Sequence, residues 1–163
     1  MIRNILKISN LNVTFRGARE EFTAVDNFSL EIKKGETIAI VGESGSGKST
    51  TALSILGLLP YPIAYHNKGS IKFKNKELLN ADSKKLQKYR GSKIGMIFQE
   101  PMMSLNPLHT VNKQIQESIL IHNKTPLYKL KKRVLELINL VGLNDSEKYL
   151  YSYPHQLSGG QRQ

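Results

Sequence analysis

The sequence contains no cysteine, so disulfide cross-links, thiolate catalysis and cysteine-ligated zinc are all excluded. It also lacks any apolar run approaching the ~18–20 residues a helix needs to span a bilayer. The opening stretch, residues 1–15, alternates apolar and polar positions, which reads as a strand and not as the apolar segment of a signal peptide. No internal repeat, low-complexity tract or Pro/Gly/Ser linker interrupts the chain. Acidic residues are scarce, 13 against 24 Lys and Arg, for a formal net charge of +11. Such a balance can serve nucleic acid, an acidic membrane surface or a phosphate ligand. Eighteen of the 24 are Lys, however, and they are spread along the whole chain. That dispersion predicts a solvated basic surface with no dedicated nucleic-acid or other polyanion partner.

What is present is the composition of a slightly polar globular protein, with 39% hydrophobic and 23% charged residues. A length of 163 residues suits one ordinary domain and is barely enough for two. Leu6 to Phe15 alternates with a period near two, as does Val25 to Ile32, where Phe28, Leu30 and Ile32 fall on one face. The polar Arg16–Glu21 stretch separates them, predicting a half-exposed antiparallel hairpin. Thr37 to Val41 is instead a short, continuous, β-branched apolar run ended by Gly42, the pattern of a strand buried on both faces of a parallel sheet. Lys93 to Gln99 predicts a second such strand. Between them, Thr51 to Leu59 has helical spacing, Gly69 to Phe73 reads as a strand and Ser83 to Arg90 as a short polar helix.

After Gln99 the character becomes helical. Val111 to His122 and Pro126 to Val141 both predict amphipathic helices, and in the second Leu130, Val134, Leu137, Ile138 and Val141 form one apolar stripe. Pro126 suits a first helical position with Thr125 as N-cap, and Gly142 suits a stop. This shift from period two to period 3.6 predicts two parts, 1–98 of α/β type and 99–163 mostly helical.

Gly42-Glu43-Ser44-Gly45-Ser46-Gly47-Lys48-Ser49-Thr50 fits G-x-x-x-x-G-K-[ST], with a predicted strand before it and a helix after it. The residue types follow from the chemistry of a triphosphate, which needs many short-range donors. Glycines let the backbone wrap closely, successive N–H groups form an anion nest, and a helix beginning near Lys48 adds unpaired N–H groups at its positive end. The Lys48 ammonium can reach the β and γ phosphates, and the Ser49 hydroxyl can ligate Mg²⁺. Alone, this motif indicates nucleotide binding without saying which nucleotide or what work.

Two further motifs give a resemblance. Gln99 closes the strand before Glu100-Pro101-Met102-Met103-Ser104-Leu105-Asn106-Pro107, and Leu157-Ser158-Gly159-Gly160-Gln161 stands near the end. Phosphate loop, Gln and LSGGQ in this order resemble the ATP-binding subunits of ABC transporters, over essentially the whole chain. The stretches 98–107, 41–49 and 153–160 are similar to those of importers of dipeptides, oligopeptides and nickel chelates. Ala52 to Leu59 with Met96 to Pro101 looks closest to the oligopeptide and microcin C type.

The resemblance implies an α/β P-loop NTPase fold of ABC type, with an antiparallel hairpin, a parallel core sheet and a helical subdomain. It implies ATP and Mg²⁺ as ligands, with Lys48 on the phosphates, Ser49 and Gln99 at the metal, and an aromatic, for which Phe15 is the candidate, stacked on adenine. Leu157, Ser158, Gly159, Gly160 and Gln161 would act on ATP held by a second, homologous or fused, ATP-binding domain. Integral membrane permeases are the implied partners, a substrate-binding protein an indirect one, and the cytoplasmic face of the inner membrane the implied location. In the family a strand ending Asp-Glu and a switch His follow LSGGQ, and residues 1–163 include neither. His66, His109, His122 and His155 precede the signature and cannot be that His. No catalytic base is therefore expected within these residues, and the parallel sheet is expected to be incomplete, with an uncovered apolar face. A truncated product and an excerpt of a longer chain are both compatible with this, as is a remnant that binds nucleotide without hydrolysing it. An ABC-type ATPase acting on nucleic acid is the remaining alternative.

Overall fold

The computed structural model describes residues 4–99, 104–123, 125–143 and 146–163, and the chain forms two compact units, Met1–Ile94 and Gly95–Gln163. In the first unit, β1 (Asn4–Arg16) and β2 (Glu21–Lys33) form the expected antiparallel hairpin. The other edge of β1 takes β4 (Ser70–Phe73) along Leu6 to Ser9 and the two-residue β3 (Ala64–Tyr65) at Thr14 and Phe15. β5 (Lys76–Glu77) pairs with β4, giving the order β2-β1-β4-β5.

The alternation that builds this sheet changes phase partway along β1. Leu6 and Ile8 point into the core at even positions, whereas Leu11 and Val13 do so at odd ones, both fully buried. A register irregularity lies between Ile8 and Leu11, where Asn10 and its neighbour across the hairpin, Asn27, take left-handed φ of 48° and 51°. Asparagine tolerates that conformation better than most residues, and one extra residue in a strand restores inward orientation for the segment that follows. Polar bonds hold the irregularity: Asn10 Nδ2 donates to Asn27 Oδ1 at 2.7 Å, Asn12 Nδ2 to Asp26 Oδ1 at 2.6 Å, and Asn27 N to Asn12 Oδ1 at 3.1 Å. Phe28, Leu30 and Ile32 alternate with exposed residues on β2 and pack half-buried against the core, which also holds Ile71, Phe73, Leu78 and Leu86. Leu86 belongs to α2 (Ser83–Gln87), capped by Asp82, whose Oδ1 accepts from Lys85 N at 2.6 Å.

The two parallel strands expected from the sequence do not form among the described residues. Thr37 to Val41 pairs with nothing, and Val41 is 90% exposed. Of the second run only Ile94 makes an isolated parallel bridge, to Arg90, and Ile97 is 90% exposed. The sheet that does form is antiparallel throughout. The physical reason is the source of partners. A hairpin strand finds its partner next in sequence, whereas a parallel strand depends on neighbours delivered from elsewhere by crossover connections. The composition of 37–41 is that of a strand covered on both faces, whereas here the run is largely exposed.

In the second unit, α3 (Val111–His122) and α4 (Leu127–Leu140) pack together with α5 (Ser146–Leu150). Val134, Ile138 and Leu150 form the core, with Val111, Ile115, Ile119, Leu143 and Tyr149 around it. Thr110 caps α3, its hydroxyl accepting from Lys113 N at 3.3 Å, and Val111 N donates to Ser152 O at 2.9 Å. The stripe on α4 is as expected at Leu130, Val134 and Ile138, but Val141 lies past the last turn and is 72% exposed. The N-cap of α4 is Pro126, with extended ψ of 141°, so the helix starts one residue later than expected and Thr125 does not cap it. Gly142, at φ 82°, follows as the stop.

Candidate nucleotide site

The phosphate-loop motif folds as the turn between residues 42 and 47 that delivers α1 (Lys48–Ile55). Gly47 is the N-cap of that helix, in the left-handed region at φ 83°. A Cβ at this position would stand 2.4 Å from Ala24 O and 3.0 Å from Val25 Cγ2 on β2. Glycine is therefore required twice here, for the backbone conformation and for the close approach of the loop to the sheet. No side chain caps α1 and its first turn carries no acidic residue. The positive end of the helix is thus offered to a ligand anion and not neutralised internally.

Lys48 is half-buried and curls back over its own loop. Its Nζ donates to Gly42 O at 2.8 Å, Glu43 O at 2.6 Å and Ser46 Oγ at 3.3 Å. The ammonium is thereby held among Gly42, Glu43 and Ser46, and among the described residues it has no carboxylate partner. Ser44, Gly45, Ser49 and the other loop residues through Ser46 are exposed, and Thr50, half-buried, begins to turn toward the core side, where Thr51 is buried. Glycine cradle, uncapped helix end and an ammonium held over the loop by neutral oxygens fit a polyphosphate. The Ser49 hydroxyl, exposed on the same first turn, fits a hard cation accompanying it.

The signature motif folds as a second helix N-terminus, α6 (Gly159–Arg162). Its chemistry differs from that of α1. Ser158 caps the helix, its Oγ accepting from Gln161 N at 3.3 Å, while Ser158 N donates to Gln161 Oε1 at 2.9 Å. This reciprocal capping box is the one that the S-x-x-Q spacing of 158–161 allows. Gln161 Nε2 also donates to Tyr149 Oη at 3.0 Å, a partner no motif indicates. Leu157 is buried and anchors the segment, and Gly159 and Gly160 are exposed, with no heavy atom within 4 Å of a Cβ built on either.

Gln99 is exposed and lies in the second unit, while Glu100, Pro101, Met102 and Met103 lie outside the described residues. Phe15 stands half-buried near the end of β1, opposite Phe22 on β2 and Ala64 on β3, with its side chain against the core. Phe22, 63% exposed, presents the more open ring of that cross-strand pair. His66 lies in the first unit, on the segment after β3. Its Nε2 is 2.8 Å from Tyr61 Oη and its Nδ1 3.3 Å from Asn12 O, and burial holds its pKa below 6.5. Burial likewise pushes the Tyr61 hydroxyl upward from 10.0. No helix among the described residues is long and apolar enough to cross a membrane.

The family described as ABC transporter matches residues 25–163. The ABC transporter ATP-binding protein YejF of Escherichia coli (strain K12), itself called uncharacterized, is 49% identical over the whole chain, which covers 31% of that protein. The oligopeptide transport ATP-binding protein OppD and the dipeptide transport ATP-binding protein DppD of Bacillus subtilis (strain 168) are 44% and 46% identical over 99% of the chain, which covers 45% and 48% of their lengths. The chain thus spans from a third to a half of these relatives. Among solved structures, the dimeric ATP-binding cassette MJ0796 bound to ADP and Pi superimposes with a TM-score of 0.81 at 31% identity, over 96% of this chain and 65% of that one. The phosphate loop on α1 and the capped signature on α6 are therefore parts of an ATP-binding cassette, and the chain belongs to the ABC transporter family.

Proposed function

We propose that this chain is the ATP-binding part of an importer subunit that couples ATP to the uptake of peptides or peptide-like substrates. The observation that carries the reading is the loop at Gly42–Thr50, with Gly47 wedged against β2 and the Lys48 ammonium held over the loop by Gly42 and Glu43 carbonyls. The relatives named for oligopeptide and dipeptide transport support the substrate class. In this reading residues 1–98 hold the nucleotide and 99–163 form the helical subdomain. Backbone N–H groups of the loop and the Lys48 ammonium bind the phosphates, and Ser49 with Gln99 supplies protein ligands to Mg²⁺, which otherwise keeps phosphate and water oxygens. The cation neutralises charge on the β and γ phosphates when bound. Phe15 stacks on adenine. Ser158, Gly159 and Gly160, seated by Leu157 and Gln161, contact the nucleotide of a second ATP-binding domain. Permeases bind the assembly at the cytoplasmic face of the inner membrane.

A second proposal concerns turnover. Within residues 1–163 no strand ending Asp-Glu follows the signature, so these residues bind Mg·ATP without orienting an attacking water. General-base assistance is commonly worth roughly 10²–10⁴ in rate. Phosphate release by the 163-residue protein, beside a version extended through the next Asp-Glu strand, tests this, with circular dichroism and nucleotide titration separating chemistry from folding. Background release from the shorter chain and a gain on extension are expected. Comparable turnover in both overturns the proposal. Copurification of the extended chain with integral membrane permeases tests the importer assignment, and salt-sensitive nucleic-acid binding in its place contradicts it.

A further inference from the structure

We infer that the last turn of α3, with the first turns of α4, is a contact surface for an anionic lipid bilayer. Most of the lysines are dispersed, but this end of the second unit is not ordinary basic surface. Residues 121–133 contain five Lys and Arg and no Asp or Glu. Arg133 is engaged by Glu136 at 3.0 Å, whereas Lys129, Lys131 and Lys132 form no ion pair among the described residues. The same end exposes large apolar side chains: Ile121 at 75%, Leu127 at 80% and Tyr128 at 78%.

The helix geometry puts these features together. Tyr128, Lys131 and Lys132 are spaced i, i+3, i+4, so they share one face of α4, directed away from the buried stripe of Leu130, Val134 and Ile138. Lys129 Nζ lies 5.6 Å from the centre of the Tyr128 ring. Ile121 stands in the last turn of α3, just before α4 begins at Leu127. An aromatic, two aliphatics and unpaired ammonium groups are the side-chain set that settles at the headgroup level of an anionic membrane. The rings and aliphatics enter the acyl boundary and the lysines meet the phosphates. A nucleic-acid partner would use the lysines but leaves Ile121 and Leu127 unexplained. The inference is independent of the importer assignment, because it concerns contact with lipid and not with permease.

The absence of tryptophan makes the test direct. Tyr128→Trp in the full chain places a lone indole on the proposed surface. Tyr151→Trp places one at the opposite end of the unit, beside Ser152, which binds the start of α3. Each is titrated with vesicles of phosphatidylglycerol and phosphatidylethanolamine, and with phosphatidylcholine vesicles. The expected result is a blue shift at position 128 with the anionic vesicles alone, none at 151, and reversal at high salt. Adding Lys131→Gln and Lys132→Gln should weaken partitioning roughly 25-fold, from the usual worth of a Lys near an anionic surface. No shift at 128, equal shifts at 128 and 151, or equal shifts on both vesicle types overturns the inference. So does a response of the position-128 indole to a short duplex DNA with none to vesicles. All substitutions are at exposed positions, and unchanged circular dichroism is required before any is read.

Discussion

Two glycine-rich helix N-termini stand in this chain, and their glycines answer different physical demands. At α1, Gly47 holds a left-handed φ and presses against the carbonyl of Ala24, so the loop is shaped by the absence of a side chain. No side chain caps the helix, and its donors face outward. At α6, Ser158 and Gln161 cap each other's backbone, and Gly159 and Gly160 have open space around them. The first site is built by fit within one unit. The second has its cap satisfied internally and keeps its glycines exposed, with open space around them.

The same substitution at the two sites should therefore have opposite signs. Gly47→Ala meets both the left-handed penalty of roughly 1–2 kcal/mol and a clash with a backbone carbonyl. A loss of about 2–4 kcal/mol in urea unfolding, together with loss of nucleotide binding, is expected. Ser158→Ala removes the cap and should fray α6 by about 1 kcal/mol. Faster amide exchange at Gln161, whose N–H loses its acceptor, is the signature of that effect. Gly160→Ala replaces a helical glycine with the best helix former and should be neutral or stabilising by up to about 1 kcal/mol. Destabilisation by Gly160→Ala equal to that of Gly47→Ala would remove the distinction.

The smallest effect lies away from both helix ends. Burial lowers the His66 pKa in the folded protein, so the unfolded chain binds the proton more readily. The stability this neutral ring contributes is complete above its ordinary value of 6.5 and is lost as pH falls from there toward the lowered folded value. Urea midpoints at pH 7.5 and 5.5 should differ less in His66→Gln than in the unaltered protein. An unchanged difference would mean that the ring's contacts with Tyr61 and Asn12 do not disfavour its charged form.

Much of this was legible in the residues. The hairpin, α3, the stripe on α4 and the phosphate loop follow from period, capping and spacing, which act over short sequence distances. The phase change at Asn10 was not legible, because a run such as Ser9-Asn10-Leu11-Asn12-Val13 fits a period of two on either side of the irregularity. Nor was the contact of Gly47 with Ala24, which depends on where β2 lies in space. Thr37 to Val41 shows the limit most clearly. Its composition predicts a buried parallel strand, but composition cannot supply the neighbours that would pair with it, and here the run is unpaired and largely exposed.

The central claim is that the loop Gly42–Thr50 binds the phosphates of Mg·ATP and that Lys48 supplies the charge. Calorimetric titration of Mg·ATP into the unaltered protein and into Lys48→Ala, with circular dichroism confirming equal folding, tests it most directly. Charged hydrogen bonds contribute about 1.5–3 kcal/mol each, so losing those to the β and γ phosphates should weaken binding by roughly 100-fold or more. Saturable binding by the unaltered protein and a loss of that size in the variant is the predicted result. Equal affinity in the two proteins would contradict the account.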